Sequence, residues 1–494
     1  MTPQWCDQRQ SQEWSLLLRC RSINGATYVT QPHCATQIQL SEVSSMSLSS
    51  DPPKFRVAIC GAGIGGLVLA ITIGKFAGRD IHIDLYEVRD AITTAGAGII
   101  VSQRTTEVLA ELSLCEKISR VSAMPPSSNH GHGRRLRKSN VPNGGFEWFQ
   151  YISKTVKPGF VMHRQELVDI LKQSIPSSCT IHFNKKLTKY EKQSSGSLAL
   201  YFADDSTSTT DVLVGADGIH SAVRKTLFET IGPDVIDPSK IRHYSDPSWT
   251  GTLVYRGTFP AEKLSKLDPH NVALKGFMTF CGKGKHVVSY PISQGTRINV
   301  VAYVSDEQKI GMPFEGDWVS AVSLEEVLEA YQDFEPDVKH LLNCLENPSR
   351  WALHVVNKLP LFTSDRVALM GDAAHAMTPH LAAGAGQAIE DAFVLGRLLA
   401  HPITTLDNVP AALKAYQGVR LPFTQFVARQ AERTTSTIYD FCALGTDQGN
   451  EQEKMEILKE KIVDLWDSWV TEGEGGAVAE WVKAERQLQE GSSK

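Results

Sequence analysis

Long apolar runs, paired cysteines and blocks of like charge are all missing from this sequence, and each absence narrows what the chain can be. The longest uncharged stretch, Val57 to Gly74, is interrupted by Gly61, Gly63, Gly65, Gly66 and Gly74. It lacks the roughly 20 consecutive apolar residues of a membrane helix, so no membrane span is expected. Only Leu16-Leu17-Leu18 precedes Arg19 near the start, shorter than the ~7–15-residue apolar segment of a secretory signal. The nine cysteines (Cys6, Cys20, Cys34, Cys60, Cys115, Cys179, Cys281, Cys344 and Cys442) are odd in number, widely spaced and contain no C-x-x-C pair. They predict reduced thiols in a cytoplasmic protein. No run of five or more like charges occurs, and 50 Lys and Arg against 55 Asp and Glu leave a formal charge of −5. Such a balance has no stripe able to track a phosphate backbone, and no nucleic-acid partner is expected.

What remains is 494 residues, 42% hydrophobic and 21% charged, with no internal repeat. That length and composition predict a globular chain with a large core, organised as two domains or one domain with an inserted lobe. Residues 1–53 are rich in Gln, Ser and Thr and end in Ser-Ser-Asp-Pro-Pro; they predict a disordered tail, for which Met46 offers an alternative start. The texture changes at Phe55. Phe55 to Cys60 reads as a buried strand, Gly61 to Gly66 as a turn, Leu67 to Phe76 as a helix and Ile81 to Glu87 as a second strand. Thr252 to Phe259, Lys285 to Pro291 and Arg297 to Val304 read as strands of a mainly antiparallel sheet, and Leu324 to Leu345 as one amphipathic helix. Arg366 to Met370 returns as a strand, followed by a long helix from Gly386 to Leu399 and more helix from Ala411 onward.

Gly61-Ala62-Gly63-Ile64-Gly65-Gly66 is a G-x-G-x-x-G sequence between a strand and a helix. In that position Gly61 permits the tight turn, Gly63 lets backbone amides approach a pyrophosphate, and Gly66 lets helix and strand pack closely. Glu87 ends the next strand 21 residues after Gly66, where its carboxylate can accept from ribose hydroxyls. A lone glycine triplet is often only a turn; the flanking strand, helix and acid make this a dinucleotide site, for NAD or FAD alike.

The choice between them falls to the segment Gly371-Asp372-Ala373-Ala374-His375-Ala376-Met377-Thr378-Pro379 and to Gly384-Ala385-Gly386 beyond it. Asp372 can accept from a ribityl hydroxyl. Amides near Ala385 and Gly386, at a helix start, can face the pyrimidine end of a flavin, where the helix dipole favours negative charge.

With these motifs the sequence resembles the class A FAD-dependent aromatic monooxygenases, salicylate hydroxylase-like branch, across about residues 54–440. The resemblance also rests on Gly96-Ala97-Gly98-Ile99, Met162-His163-Arg164 and Gly215-Ala216-Asp217-Gly218-Ile219-His220-Ser221. It implies an α/β fold: a Rossmann-like FAD-binding domain of para-hydroxybenzoate hydroxylase type (54–230 and 350–440), an inserted mainly antiparallel β-sheet substrate domain (231–349) and C-terminal helices (441–494). It further implies that Gly98 lines the flavin, Arg164 contacts its phosphate or ribityl region, Asp372 and Ala385 hold ribityl and ring, and Asp217 serves FAD and a transient NADH or NADPH. The implied activity is hydroxylation of a phenolic, hydroxybenzoate-type aromatic by O2, with loss of carbon dioxide where the attacked carbon bears a carboxylate, in secondary metabolism. The protein is expected to be a monomer or homodimer.

On the substrate side the resemblance points to Arg256, in Thr250 to Gly257, and to Tyr290, in His286 to Pro291. An Arg pairs with carboxylate or phenolate, and a Tyr hydroxyl can hold or relay a phenolic proton. Cross-strand packing is the plain alternative for both, and His286 and His375 read as structural. Two other functions stay open: oxidation of a polyketide or terpenoid intermediate, and a flavoprotein whose redox state controls a partner. The chain departs from most relatives at Val355-Val356-Asn357-Lys358, where an aspartate-arginine pair is usual, and it has no W-x-W-x-I-P segment of flavin halogenases.

Overall fold

A computed structural model describes residues 54–77, 81–93, 98–122, 133–140, 144–151, 159–438, 451–471 and 476–492. The expected tail, the alternative start Met46, Gly96, Ala97, Cys6, Cys20, Cys34 and Cys442 lie outside them. Among the described residues no helix is long and apolar enough to cross a membrane. Cys60, Cys115, Cys179, Cys281 and Cys344 are free thiols.

The apolar strand Phe55–Cys60 is parallel-paired on both edges, to Ile81–Tyr86 and to Val212–Gly215. A strand covered on both faces must be apolar throughout rather than alternating, and this one has only Arg56 outside the core. Six strands form this sheet, with Cys179–His182 at one edge and Val367–Leu369 with Thr363–Ser364 at the other. The helix Ile64–Ala77 that follows the glycine turn crosses the helix Gly384–Ala400, buried almost throughout. A Cβ on Gly396 would lie 2.7 Å from Thr72 Cγ2, so the crossing is closer than any side chain there would permit.

The second sheet has eight strands, from Val319–Ala321 through Glu346–Val355, Ser248–Pro260, Arg297–Ser305, Lys285–Ile292, Met278–Gly282 and Arg134–Lys138 to Phe146–Tyr151. All pairs are antiparallel except Met278–Gly282 with Arg134–Lys138. The sheet therefore recruits strands from inside the span 54–230 and beyond 349; pairing between distant strands follows edge complementarity, which contiguous boundaries such as 231–349 do not capture. Strand parity divides its two faces. Tyr255, Phe259, Phe280, Val287, Val300 and Ala302 pack on one side into a core with Val327, Phe334, Val338 and Leu341. Their alternates face the site described below.

The expected single helix over Leu324 to Leu345 is two helices, Leu324–Ala330 and Pro336–Asn343. Pro336 has no N–H to give to the preceding turn and instead opens the second helix at its first position. C-terminal helices occupy Val409–Ile438, Glu451–Thr471 and Gly476–Ser492.

Candidate active site

A cavity of about 470 Å³ opens between the glycine turn and the inner face of the eight-stranded sheet. Of the residues expected at the cofactor, Gly63, Gly98, Arg164, Asp372 and Ala385 line it, and both expected substrate residues, Arg256 and Tyr290, line it as well. Gly61, Gly66, Glu87, Asp217 and Gly386 stand outside the lining.

Each of those five has a visible local task. Gly61 takes φ +105°, and a Cβ there would meet Ala216 O at 2.3 Å; a Cβ on Gly66 would meet Gly61 O at 2.0 Å. The first makes the turn and the second seats the helix on the strand. Glu87 accepts from Ala62 N at 3.0 Å and Arg89 N at 3.1 Å, bracing the glycine turn. Asp217 Oδ2 accepts from Ala222 N at 2.8 Å and Val223 N at 3.2 Å, at the start of the helix Ala222–Thr230. Gly386 is a packing glycine: a Cβ there would sit 2.7 Å from Thr105 Oγ1.

Three features mark where a ligand belongs. A Cβ built on Gly63 meets nothing within 4 Å, so its backbone borders open space. Arg164 Nε and Asp217 Oδ1 are buried with no hydrogen-bond partner among the described residues. Burial lowers the Arg164 pKa and raises that of Asp217. A buried donor on the cavity wall, and a buried acceptor on the residue between the lining Ala216 and Gly218, cost stability unless a ligand meets them. A dinucleotide carries phosphates for the first and hydroxyls for the second, so the residues present fit FAD.

The sheet side is built by parity. Val254 and Arg256, Val288 and Tyr290, Val301 and Tyr303, Trp351 and Leu353 alternate with core residues and all line the cavity. Arg256 lies 5.3 Å over the Trp351 ring, and among the described residues its guanidinium has no hydrogen-bond or ion-pair partner. Tyr290 stacks on Phe277 at 5.3 Å and 5°. Burial pushes the Tyr290 phenol up to about 12, although Arg256 and Arg134 pull the other way. A Cβ on Gly98 would meet Tyr290 Oη at 2.4 Å, so the expected flavin-side glycine and the expected substrate-side tyrosine touch. His286 stacks on Tyr303 at 4.1 Å, and burial lowers its pKa; His375 bonds to Asp391 at 2.6 Å through Nε2.

Sequence reasoning missed the group that holds the Gly371-Asp372 turn. Asp391 Oδ2 accepts from Gly371 N at 2.9 Å, and its Oδ1 accepts from Arg420 Nε at 2.8 Å. Arg420 also pairs with Glu390 and Glu480, and Arg104 with the same two carboxylates at 3.3 and 2.6 Å. Arg104, Arg420, Glu390 and Asp391 are all buried. Glu390-Asp391 inside an otherwise apolar helix was the available signal, because buried acids need partners; Arg104, Arg420 and Glu480 carry none.

The FAD binding domain family matches residues 54–243 and 266–431, most of the chain. The chain belongs to this family. Salicylate hydroxylase from Pseudomonas putida is 31% identical over 431 residues, covering 85% of this chain and 93% of that protein. A 6-methylsalicylate 1-monooxygenase from Aspergillus terreus is 32% identical over 430 residues, 84% of this chain and 89% of its own. Among solved structures, a salicylate hydroxylase substrate complex superposes with a TM-score of 0.72 at 28% identity, covering 87% of this chain and 98% of the other. The protein is thus a class A FAD-dependent aromatic monooxygenase, with NAD(P)H the co-substrate typical of such enzymes. Within this monooxygenase the nucleotide sheet carries the glycine turn and the eight-stranded sheet carries Arg256 and Tyr290.

Proposed function

We propose that this monooxygenase hydroxylates a single-ring phenol bearing a carboxylate, of the hydroxybenzoate class. The observation that carries the reading is Arg256: a guanidinium on the cavity face of the sheet, among Val254, Val288, Val301 and Leu353 and stacked on Trp351, with no acceptor from the protein among the described residues. Leaving such a group without an anion wastes its bonding capacity, whereas a carboxylate or phenolate gains about 1.5–3 kcal/mol from it. The names of two relatives, a salicylate hydroxylase and a 6-methylsalicylate 1-monooxygenase, support the same substrate class.

In this proposal residues 54–230 and 350–440 hold FAD and the sheet centred on 231–349 holds substrate. Gly63 admits the pyrophosphate to backbone amides, Arg164 meets a phosphate, and Asp372 and Ala385 take the ribityl chain and ring edge, with Asp217 and Glu87 offering carboxylates to hydroxyls. The flavin, when bound, supplies electrons from NAD(P)H and activates O2. Arg256 fixes the anionic end of the aromatic and favours its ionised form. Tyr290, protonated at neutral pH, donates to the phenolic oxygen or takes its place in passing the proton on. Val254, Val288, Val301 and Leu353 keep water from the ring.

The test is direct. Purified yellow protein is given NADH or NADPH and a panel of hydroxybenzoates and phenols, with NAD(P)H consumption and product mass followed together. A hydroxylated product from a hydroxybenzoate is expected. Absence of any aromatic-stimulated product across the panel overturns the proposal.

A further inference from the structure

The helix Glu451–Thr471 lies beyond the span matched by the FAD binding domain family, which ends at residue 431. Its apolar stripe, Leu458, Ile462, Leu465 and Trp466, falls at helical spacing and is buried. Leu458, Ile462 and Trp466 pack with Phe423, Val427 and Ala431 of the preceding helix and with Leu136, Cys281 and Leu381. Trp466 is different from its neighbours on the stripe, because it also forms part of the cavity wall.

Several contacts hold the indole there. Tyr151 meets it edge-on at 4.8 Å, and the Tyr151 hydroxyl donates to the carboxylate of the adjacent Asp467. The Arg134 guanidinium lies 4.7 Å over the Trp466 ring and 4.9 Å over Phe277, so Phe277, Arg134 and Trp466 are linked in one series on the wall. Phe277 in turn stacks on Tyr290. Trp466 Nε1 is buried and has no hydrogen-bond partner among the described residues. Among the described residues the indole therefore gains no hydrogen bond from being a tryptophan; its size and its ring contacts are what this position uses.

We propose that Trp466 is a specificity-determining residue: the C-terminal helix inserts it as the wall that limits the substrate cavity to single-ring phenols. The inference rests on the substrate reading above and adds a residue to it. A wall made by a rigid two-ring side chain sets the allowed length of the substrate more sharply than a flexible one, because repacking around it costs contacts on every side. Shortening it opens space that a fused second ring or a bulky alkyl substituent can enter.

The experiment compares wild type with Trp466→Phe and Trp466→Ala, using a hydroxybenzoate and the corresponding hydroxynaphthoate. Substrate binding is read by the change in flavin absorbance on titration, and turnover by product mass; bound FAD per protein is measured for each variant. The expected result is a relative preference for the two-ring acid raised roughly ten-fold or more, the scale at which pockets discriminate one added group. The smaller Phe change should move it the same way by less, with FAD content unchanged. Equal preference in wild type and the Phe variant, with normal FAD content, overturns the inference, even if the Ala variant does not fold. Wild type that binds neither acid overturns the substrate reading instead.

Discussion

Replacing Arg256 by Ala removes a cation of the cavity wall whose guanidinium has no protein acceptor among the described residues. If a substrate carboxylate or phenolate occupies it, the variant loses a charge-assisted hydrogen bond of about 1.5–3 kcal/mol. That corresponds to a fall in kcat/KM of roughly 10- to 150-fold. The side chain is half-buried and stacks on Trp351 from one face only, so its removal opens the cavity without leaving a buried charge behind, and folding should be unaffected. Arg256→Lys keeps the charge but loses the planar fork, and an intermediate loss is expected. The assay is steady-state product formation with a matched pair, a hydroxybenzoate and the phenol lacking its carboxylate, alongside the flavin content of each preparation. A carboxylate contact makes the acid suffer more than the phenol; a phenolate contact makes both suffer alike. Should Arg256→Ala stay within about two-fold of wild type on both compounds, the anion-binding argument fails. A neutral polyketide or terpenoid intermediate would then be the better substrate class.

Tyr290→Phe should lower kcat/KM roughly ten-fold through loss of one hydrogen bond. Because burial disfavours the phenolate and sets its pKa at about 12, the hydroxyl stays protonated across neutral pH; the pH profile from about pH 6 to 9 should keep its shape in the variant, and an inflection lost there would contradict this. Gly66→Ala places a Cβ 2.0 Å from Gly61 O and should yield colourless or insoluble protein, whereas Gly63→Ala, with nothing within 4 Å, should fold with unchanged Tm and release flavin more easily. Released flavin per protein distinguishes the two. Asp391→Asn breaks a buried pair and should cost about 3–5 kcal/mol, read as a lower Tm. Burial raises the Asp391 pKa, but His375 and Arg420 outweigh it and hold it at about 2. A depressed carboxylate contributes stability above the ordinary value near ~4 that is lost as pH falls toward the folded value, so the Tm gap between wild type and variant should close in acid.

Much of the fold was legible because its signals are local. The run Phe55 to Cys60, the glycines after it and the acid after the next strand sit within one βαβ unit, and each follows from turn geometry or two-sided burial. Parity along Lys285–Ile292 puts His286 and Tyr290 on one strand face. Local reasoning failed where a proline cut a continuous apolar pattern, at Pro336, since periodicity survives a break that backbone chemistry imposes. It gave no sign of the packing at Gly386, where a Cβ would sit 2.7 Å from Thr105 Oγ1.

The sequence alone determined the glycine turn, the strand faces and the cofactor class, because spacing of two, three or four residues is read directly from the backbone's own periods. Only the tertiary structure decided that Gly98 rests against Tyr290, that Trp466 lines the cavity, and that Arg104 pairs with Glu480 across 376 residues. Partners so far apart share no period. Their meeting depends on the summed packing of every element between them, and no short stretch of sequence encodes that sum.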